Sequence, residues 1–276
     1  MMRPIVALLE RNLLKLLRNR MKLFMNLFMS GLFLFIFSFI MKTTGQGLEN
    51  PMNYLIAGII IMTVFQSALN NSMNILDDIS SGFMKEILVA PISRWQIAIG
   101  HTLSSMVISV LQGFIIVVIG LFMGLNLDAF HALQMVGVML LVGLTFSAMG
   151  LYLATITRES SNFQLLVSLV SFPLTFLSGA YIPTTALPTI LAPIVYLNPL
   201  TYTTAAFRYV TLNMENMPVE TLIQNGVAFK LNGFVIMPWM SMLMIVVICA
   251  LFFVLCVQQF SKADFSKVKT FARRHG

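Results

Sequence analysis

The segment DDISSGFMKEILVAPISR, residues 77–94, interrupts two long apolar runs at 54–75 and 97–123. It contains paired acids, a glycine, and a proline of the kind that ends a helix. The segment is too charged for a lipid interior and too apolar for an ordinary solvent loop. We therefore expect it to contact another protein at a membrane surface.

The composition of the chain is that of an integral membrane protein. Its 276 residues are 58% hydrophobic and 10% charged, with a mean hydropathy of +0.88, whereas soluble domains carry about 25% charged residues. A membrane-spanning helix needs about 20 apolar residues. We predict an all-α polytopic protein with six transmembrane helices, near 22–41, 54–75, 97–123, 132–156, 162–181 and 235–258.

The positive charges indicate the orientation. Of 17 Lys and Arg residues, only Lys42, Arg208 and Lys230 lie in the loops opposite the two termini. The positive-inside rule then places both termini in the cytoplasm. The net charge of +7 is thus explained by a multi-pass protein of the cell (inner or plasma) membrane with anionic lipid as counter-charge, and nucleic acid is not a predicted partner.

Residues 3–20 are predicted to form an interfacial amphipathic helix. Apolar residues recur at helical spacing, and basic residues gather on the other side. Because basic side chains are costly at mid-membrane, this helix should lie along the membrane surface with its apolar face down. Its role is either that of an anchor and topology signal or that of a partner contact. The predicted apolar face is Ile5, Leu9, Leu13 and Leu16.

Polar and small residues mark two of the predicted spans. The second span has many amides and hydroxyls at one end, which should face neighbouring helices or a wet cavity. They are Gln66, Ser67, Asn70, Asn71, Ser72 and Asn74. The fourth span has small residues that suit close helix packing, among them Gly137, Gly143, Ser147, Ala148 and Gly150.

A re-entrant outer segment is expected between the fifth and sixth spans, at about 184–213. Residues 184–197 are too few to cross a bilayer and too apolar for a free loop, so this part should dip into the membrane packed against protein. A second short helix at about 200–213 carries Arg208.

Several kinds of chemistry are missing from the sequence. It has no Gly-x-x-x-x-Gly-Lys-Ser/Thr phosphate loop and no metal-ligand spacing. The interiors of the spans hold essentially no acids or bases, which counts against an ion-coupled carrier. We expect no catalytic residue, cofactor or metal on this chain, so any energy must come from another protein.

The interrupting segment is a candidate for receiving that energy. Asp78 can cap a helix at about 78–90 that Pro91 ends. Ile79, Phe83 and Ile87 recur on one face of this helix, which could then seat in a groove of a partner. The alternative is a turn that only floats on lipid.

Several motifs resemble those of ABC transporter permeases of the type-2 exporter class. The first is the run from Gly82 to Arg94. The later ones are Phe176–Ala180, Ile182-Pro183, Leu187-Pro188, Asn198–Tyr202 and Arg208. The resemblance covers the whole chain, and its Ser-Gly-Ala and proline-rich part is similar to the daunorubicin-resistance-like branch that exports drugs and lipids.

The resemblance implies a membrane subunit that pairs with a second permease, preferably an identical copy and otherwise a different one. It also implies two separate ABC ATPase subunits, which would hold ATP and Mg. Phe83 and Lys85 depart from the family pattern, which has Thr and an acid there. The implied ATPase-coupling residues are Asp78, Gly82, Phe83, Lys85, Glu86, Ile87, Leu88 and Pro91.

The leading functional hypothesis is thus the permease of an ATP-driven exporter. An apolar pathway between the second and fifth spans would suit hydrophobic drugs or lipids, and its predicted lining is Phe65, Leu69, Phe172 and Phe176. The alternatives are a polysaccharide or lipid-linked glycan exporter, an ion-coupled carrier, and a scaffold that transports nothing.

Overall fold

A computed structural model describes residues 3–44, 50–125, 127–157, 159–181, 184–231 and 234–262. Within these ranges the chain is almost entirely helical. The helices are α1 (Arg3–Arg18), α2 (Arg20–Thr44), α3 (Pro51–Asn71), α4 (Asn74–Ser80), α5 (Phe83–Val89), α6 (Arg94–Phe122), α7 (Ala129–Thr157), α8 (Ser160–Phe176), α9 (Ala192–Leu197), α10 (Pro199–Thr211), α11 (Val219–Gln224) and α12 (Pro238–Lys262). Strands β1 (Phe229–Leu231) and β2 (Phe234–Ile236) form an antiparallel hairpin.

Four helical segments of the described chain are long and apolar enough to cross a membrane: α3 with α4, α6, α7 and α12. The count becomes five if α1 and α2, which meet at a 71° bend, form one span. These helices confirm the predicted all-α polytopic class, but they do not confirm six spans. Helix α8 has 17 residues and an internal Pro173, so it measures roughly 25 Å, short of a hydrocarbon core of about 30 Å.

Helix α3 lies at the centre of the bundle and packs against α2, α6, α7, α8 and α10. The small residues of α7 allow close contact with the end of α3 and with α6. A Cβ at Gly150 would lie 2.5 Å from the Ser72 hydroxyl, and one at Gly143 would lie 2.9 Å from that of Ser109. A Cβ at Gly137 would meet nothing within 4 Å, so close packing explains the first two glycines and not the third.

Helix α1 packs on α6 of its own chain. Its buried residues are Leu8, Asn12 and Leu16, and a Cβ at Gly100 of α6 would lie 2.8 Å from Leu8. The buried stripe is thus rotated from the predicted apolar face, of which only Leu16 is buried. The exposed apolar residues of α1 are Val6, Leu14 and Leu17.

A sharp corner joins α4 to α5. Gly82 adopts a left-handed backbone with φ of 82°, a conformation that costs other L-residues roughly 1–2 kcal/mol. Helix α5 ends before Ala90, which is extended, as expected of a residue that precedes proline. Asp78 lies inside α4, so the prediction that it caps the coupling helix is wrong.

The segment after α8 returns to the bundle through two short 3₁₀ turns, Thr184–Ala186 and Thr189–Leu191, and then α9 and α10. Asn198 caps α10, since its side-chain oxygen accepts a hydrogen bond from the backbone N–H of Leu200 at 2.9 Å. Helix α10 occupies most of the range predicted for the second short helix. The predicted motif Ile182-Pro183 lies outside the described residues.

Candidate functional site

Three parts of the described structure are candidates for a functional role: an acid–base cluster where α1 meets α4, the exposed face of α5, and a cavity between α2, α3 and α8. The acid–base cluster consists of Arg11 and Lys15 of α1, Asp77 and Asp78 of α4, and His101 of α6.

Arg11 and Asp78 form the centre of the acid–base cluster. The two guanidinium nitrogens of Arg11 donate to the two carboxylate oxygens of Asp78 at 2.7 and 2.6 Å. Asp78 is only 1% exposed, so its charge depends on this partner. The hydrogen bonds to Asp78 raise the pKa of Arg11 above its ordinary value.

The remaining contacts of the acid–base cluster are weaker. Lys15 donates to Asp77 at 3.1 Å, with both side chains more than two-fifths exposed. The buried His101 approaches Asp78 at 3.7 Å, which is beyond hydrogen-bond distance. Arg11 also lies 4.0 Å above the ring of Phe83. One arginine of α1 thus contacts both α4 and α5.

Helix α5 has a buried apolar face and an exposed face. Met84 and Ile87 are buried against the core of the chain. The exposed face consists of Lys85, Glu86 and Val89, and Val89 is 88% exposed. The predicted apolar stripe therefore packs within the chain, since Ile79 and Phe83 also lie against the core. The exposed face of α5 is the part that remains open to contact.

The structure separates the eight predicted coupling residues by exposure. Asp78 and Ile87 are buried, Gly82, Phe83 and Leu88 are half-buried, and Lys85, Glu86 and Pro91 are exposed. The five buried or half-buried residues can hold the corner in place, and the three exposed ones are available for contact.

At the opposite end of the bundle, Arg208 joins α10 to the end of α8. Its guanidinium donates to the carbonyl oxygens of Gly179 and Ala180 at 2.9 and 2.8 Å. It lies 3.4 Å above the ring of Tyr54, whose hydroxyl donates to the Gly179 carbonyl oxygen at 2.9 Å. Gly58 permits this arrangement, because a Cβ there would lie 2.1 Å from the Ala180 oxygen. The motif Phe176–Ala180 and Arg208, which are separate in the sequence, are therefore in contact in the structure.

A cavity of about 370 Å³ opens between α2, α3 and α8, and Gln112 of α6 also lines it. Its polar side chains are together called the polar wall, and three hydrogen bonds join members of this set. They join Ser30 to Thr63 at 2.9 Å, Gln66 to Thr175 at 3.2 Å, and Asn26 to Gln112 at 3.4 Å. Its aromatic side chains, together called the aromatic wall, are Phe33, Phe172, Phe176 and Tyr181.

The four residues predicted to line a pathway fall into two pairs. Phe172 and Phe176 line the cavity and stack on each other, with ring centroids 6.2 Å apart. Phe65 and Leu69 are fully buried, and Phe65 packs edge-on against Phe146 of α7 at 4.6 Å. In this structure, therefore, these two contribute to the core of the bundle and do not line the cavity.

The amides predicted to face a cavity or neighbouring helices do both. Gln66, Ser67 and Asn70 line the cavity. Ser72 donates to the Ser147 carbonyl oxygen of α7 at 3.1 Å, whereas Asn71 donates to Ser67 within α3 at 2.9 Å. Gln112, Tyr54 and Gly58 were not singled out from the sequence. Only the three-dimensional packing distinguishes them from the other polar and small residues of their helices.

Comparison with known proteins identifies the family. Residues 3–212 match the family model described as ABC-2 type transporter. Among named relatives, the transport permease ycf38 of Cyanophora paradoxa is 31% identical over 165 residues, which are 58% of this chain and 56% of the relative. The inner membrane transport permease YadH of Escherichia coli (strain K12) is 27% identical over 181 residues, 62% of this chain and 66% of the relative.

A more distant relative is YbhR of Escherichia coli (strain K12), named as a multidrug ABC transporter permease, with 21% identity over 161 residues, 58% of this chain and 44% of the relative. The chain thus matches less than two thirds of the length of each of these relatives. The family model, in contrast, covers most of the chain, from α1 through α10. The chain is therefore an integral membrane protein that belongs to the ABC-2 type transporter family.

Proposed function

We propose that the chain is the permease subunit of an ATP-driven exporter, which moves a hydrophobic or amphipathic molecule out of the cytoplasm. Membership of the family supports a role in transport, and two of the relatives are named as transport permeases, which supports the role of a permease subunit. The name of YbhR supports the drug-exporting branch. Export rather than import follows from the resemblance described above.

The observation that carries this proposal is the bidentate ion pair between Arg11 and Asp78. It fixes α1 to α4, and Arg11 also contacts Phe83 at the start of α5. A protein that pushes on the exposed face of α5 therefore acts on a corner braced by α1. Because α4 continues α3, the displacement passes into the central helix of the bundle.

The partners would be two ATPase subunits that hold ATP and Mg, and a second copy of the permease. Both termini and α5 would then face the cytoplasm of a cell membrane. The exposed apolar residues of α1, Val6, Leu14 and Leu17, suit contact with lipid at the same surface. The exposed residues Lys85, Glu86 and Val89 would contact the ATPase.

Co-purification tests this proposal. The permease is co-expressed with candidate ABC ATPase subunits from the same genome, and the charges on α5 are reversed in the variant Lys85→Glu with Glu86→Lys. We expect binding of the ATPase to fall strongly. The matched control is Lys230→Glu with Glu220→Lys, a reversal of two exposed charges elsewhere on the chain. Equal binding by both variants would refute the assignment of α5.

A further inference from the structure

We propose that the cavity between α2, α3 and α8 binds the uncharged, hydrogen-bonding end of an amphipathic molecule, and that Gln112 determines this specificity. The inference rests on the proposed transport function and narrows its substrate class. The proposed specificity excludes molecules whose head group carries a net charge, such as a phosphate, an ammonium or a carboxylate group.

Gln112 is the principal recognition group. Its side chain is 1% exposed, and its Oε1 accepts a hydrogen bond from Asn26 at 3.4 Å. Its Nε2 is buried and has no hydrogen-bond partner among the described residues, and Gln112 is part of the cavity lining. A buried donor without a partner costs about 1–3 kcal/mol. A carbonyl or hydroxyl oxygen of a ligand would satisfy it.

The rest of the polar wall can accept as well as donate hydrogen bonds. It presents hydroxyls and amides such as Thr63, Gln66 and Ser171. Each of these groups can pair with a hydroxyl, an ester or an amide of a ligand. A small uncharged head group with several such atoms therefore matches the wall.

Charge is absent from this wall. None of the described residues that line the cavity is Asp, Glu, Lys, Arg or His. Burying an ion without an opposite charge is strongly unfavourable. A head group with a net charge would thus be rejected here, whereas a neutral head group would bind.

The aromatic wall accounts for the apolar part of the ligand. The ring of Phe33 stacks on that of Tyr181 with centroids 5.4 Å apart, and Phe172 stacks on Phe176. Both Phe172 and Phe176 keep large exposed fractions, 61% and 43%. An alkyl chain or ring that covers them would lose contact with water or lipid and gain close packing.

Photolabelling of the full chain in lipid nanodiscs tests the inference. The probe is monolaurin with a photoreactive diazirine in its acyl chain. Competitors share the chain length and differ in head group: monolaurin is neutral, dodecyl phosphate anionic and dodecyltrimethylammonium cationic. We expect monolaurin to prevent labelling of α6 and α8, and the two charged competitors to be at least tenfold weaker.

Variants of the cavity lining test whether Gln112 determines the specificity. Gln112→Met keeps the length of the side chain and removes its amide, so labelling should fall roughly five- to tenfold, as for a lost hydrogen bond of about 1 kcal/mol. Asn26→Leu, which releases Gln112 from its partner, should also lower labelling. The matched control Gln164→Met changes an exposed glutamine of α8 outside the cavity lining and should label like the native chain.

Each result bears on the inference separately from the proposed function, because no ATPase is present in the assay. Equal labelling of the native chain, Gln112→Met and Asn26→Leu overturns the role of the amides. Equal competition by the charged molecules overturns the neutral substrate class. If either failure occurs while the separate co-purification experiment still shows that the ATPase binds through α5, the proposed function stands.

Discussion

Arg11 and Asp78 are 67 positions apart in the sequence, yet two parallel hydrogen bonds of 2.7 and 2.6 Å join their side chains. This ion pair connects the first helix of the chain to the corner formed by α4 and α5. A bidentate arginine–carboxylate pair restricts both distance and angle. The corner is therefore held at a defined orientation to α1.

Removal of Arg11 should destabilise the protein strongly. In Arg11→Gln, the buried carboxylate of Asp78 loses its counter-charge, which costs about 3–5 kcal/mol for fully buried pairs. Because Arg11 is one-third exposed, we expect a loss near the lower end of that range. Thermal unfolding in detergent measures it. Lys15→Gln, which breaks the exposed pair with Asp77, is the control and should cost less than about 1 kcal/mol.

Neutralisation of both partners should restore much of that stability. In Arg11→Met with Asp78→Leu, no buried charge remains, and apolar replacement of a buried ion pair is often neutral. We expect the double variant to melt above Arg11→Gln but to show a lower ATP turnover in the complex, since the defined angle at the corner is lost. A double variant with native ATP turnover would show that the pair serves stability alone.

Gly58→Ala should disrupt the contact between α3 and the end of α8. The added methyl group would lie 2.1 Å from the backbone oxygen of Ala180, and a backbone atom cannot rotate away. We expect a clear fall in the melting temperature. Gly137→Ala, where nothing lies within 4 Å, should be neutral or slightly stabilising, since alanine favours helices by up to about 1 kcal/mol over glycine.

Arg208→Lys should loosen the end of α8 although it keeps the positive charge. A lysine cannot reproduce the planar guanidinium that donates to Gly179 and Ala180 and covers the ring of Tyr54. Hydrogen exchange measured by mass spectrometry should be faster at 176–181. Tyr54→Phe removes one hydrogen bond and keeps the ring, so its effect should be smaller. Unchanged exchange in Arg208→Lys would contradict this role.

Hydropathy along the chain predicted most of the fold because the length of an apolar helix is a local property. It predicted α3, α6, α7 and α12 as spans, whereas the helix predicted at about 78–90 is divided at Gly82 into the end of α4 and α5. It overestimated the fifth span, because the apolar run continues through Pro173 and past the end of α8 at Phe176.

The rotation of each helix could not be predicted in the same way. Every side of α3 is apolar or contacts protein, so the sequence could not show that Phe65 faces α7 while Gln66 faces the cavity. The ion-pair partner of Asp78 could not be predicted from the sequence either. That partner, Arg11, belongs to α1, far away in the sequence, and a helix cap was the local role that the sequence suggested for Asp78.

We expect an ATPase subunit to contact the exposed face of α5, and site-specific photo-crosslinking detects such a contact. Benzoylphenylalanine is placed at Val89, which is 88% exposed, or at Val219 of α11 as the control. A covalent product between permease and ATPase should form from position 89 and not from position 219. A product from position 219, or none from position 89 while the complex remains intact, would contradict the proposed role of α5.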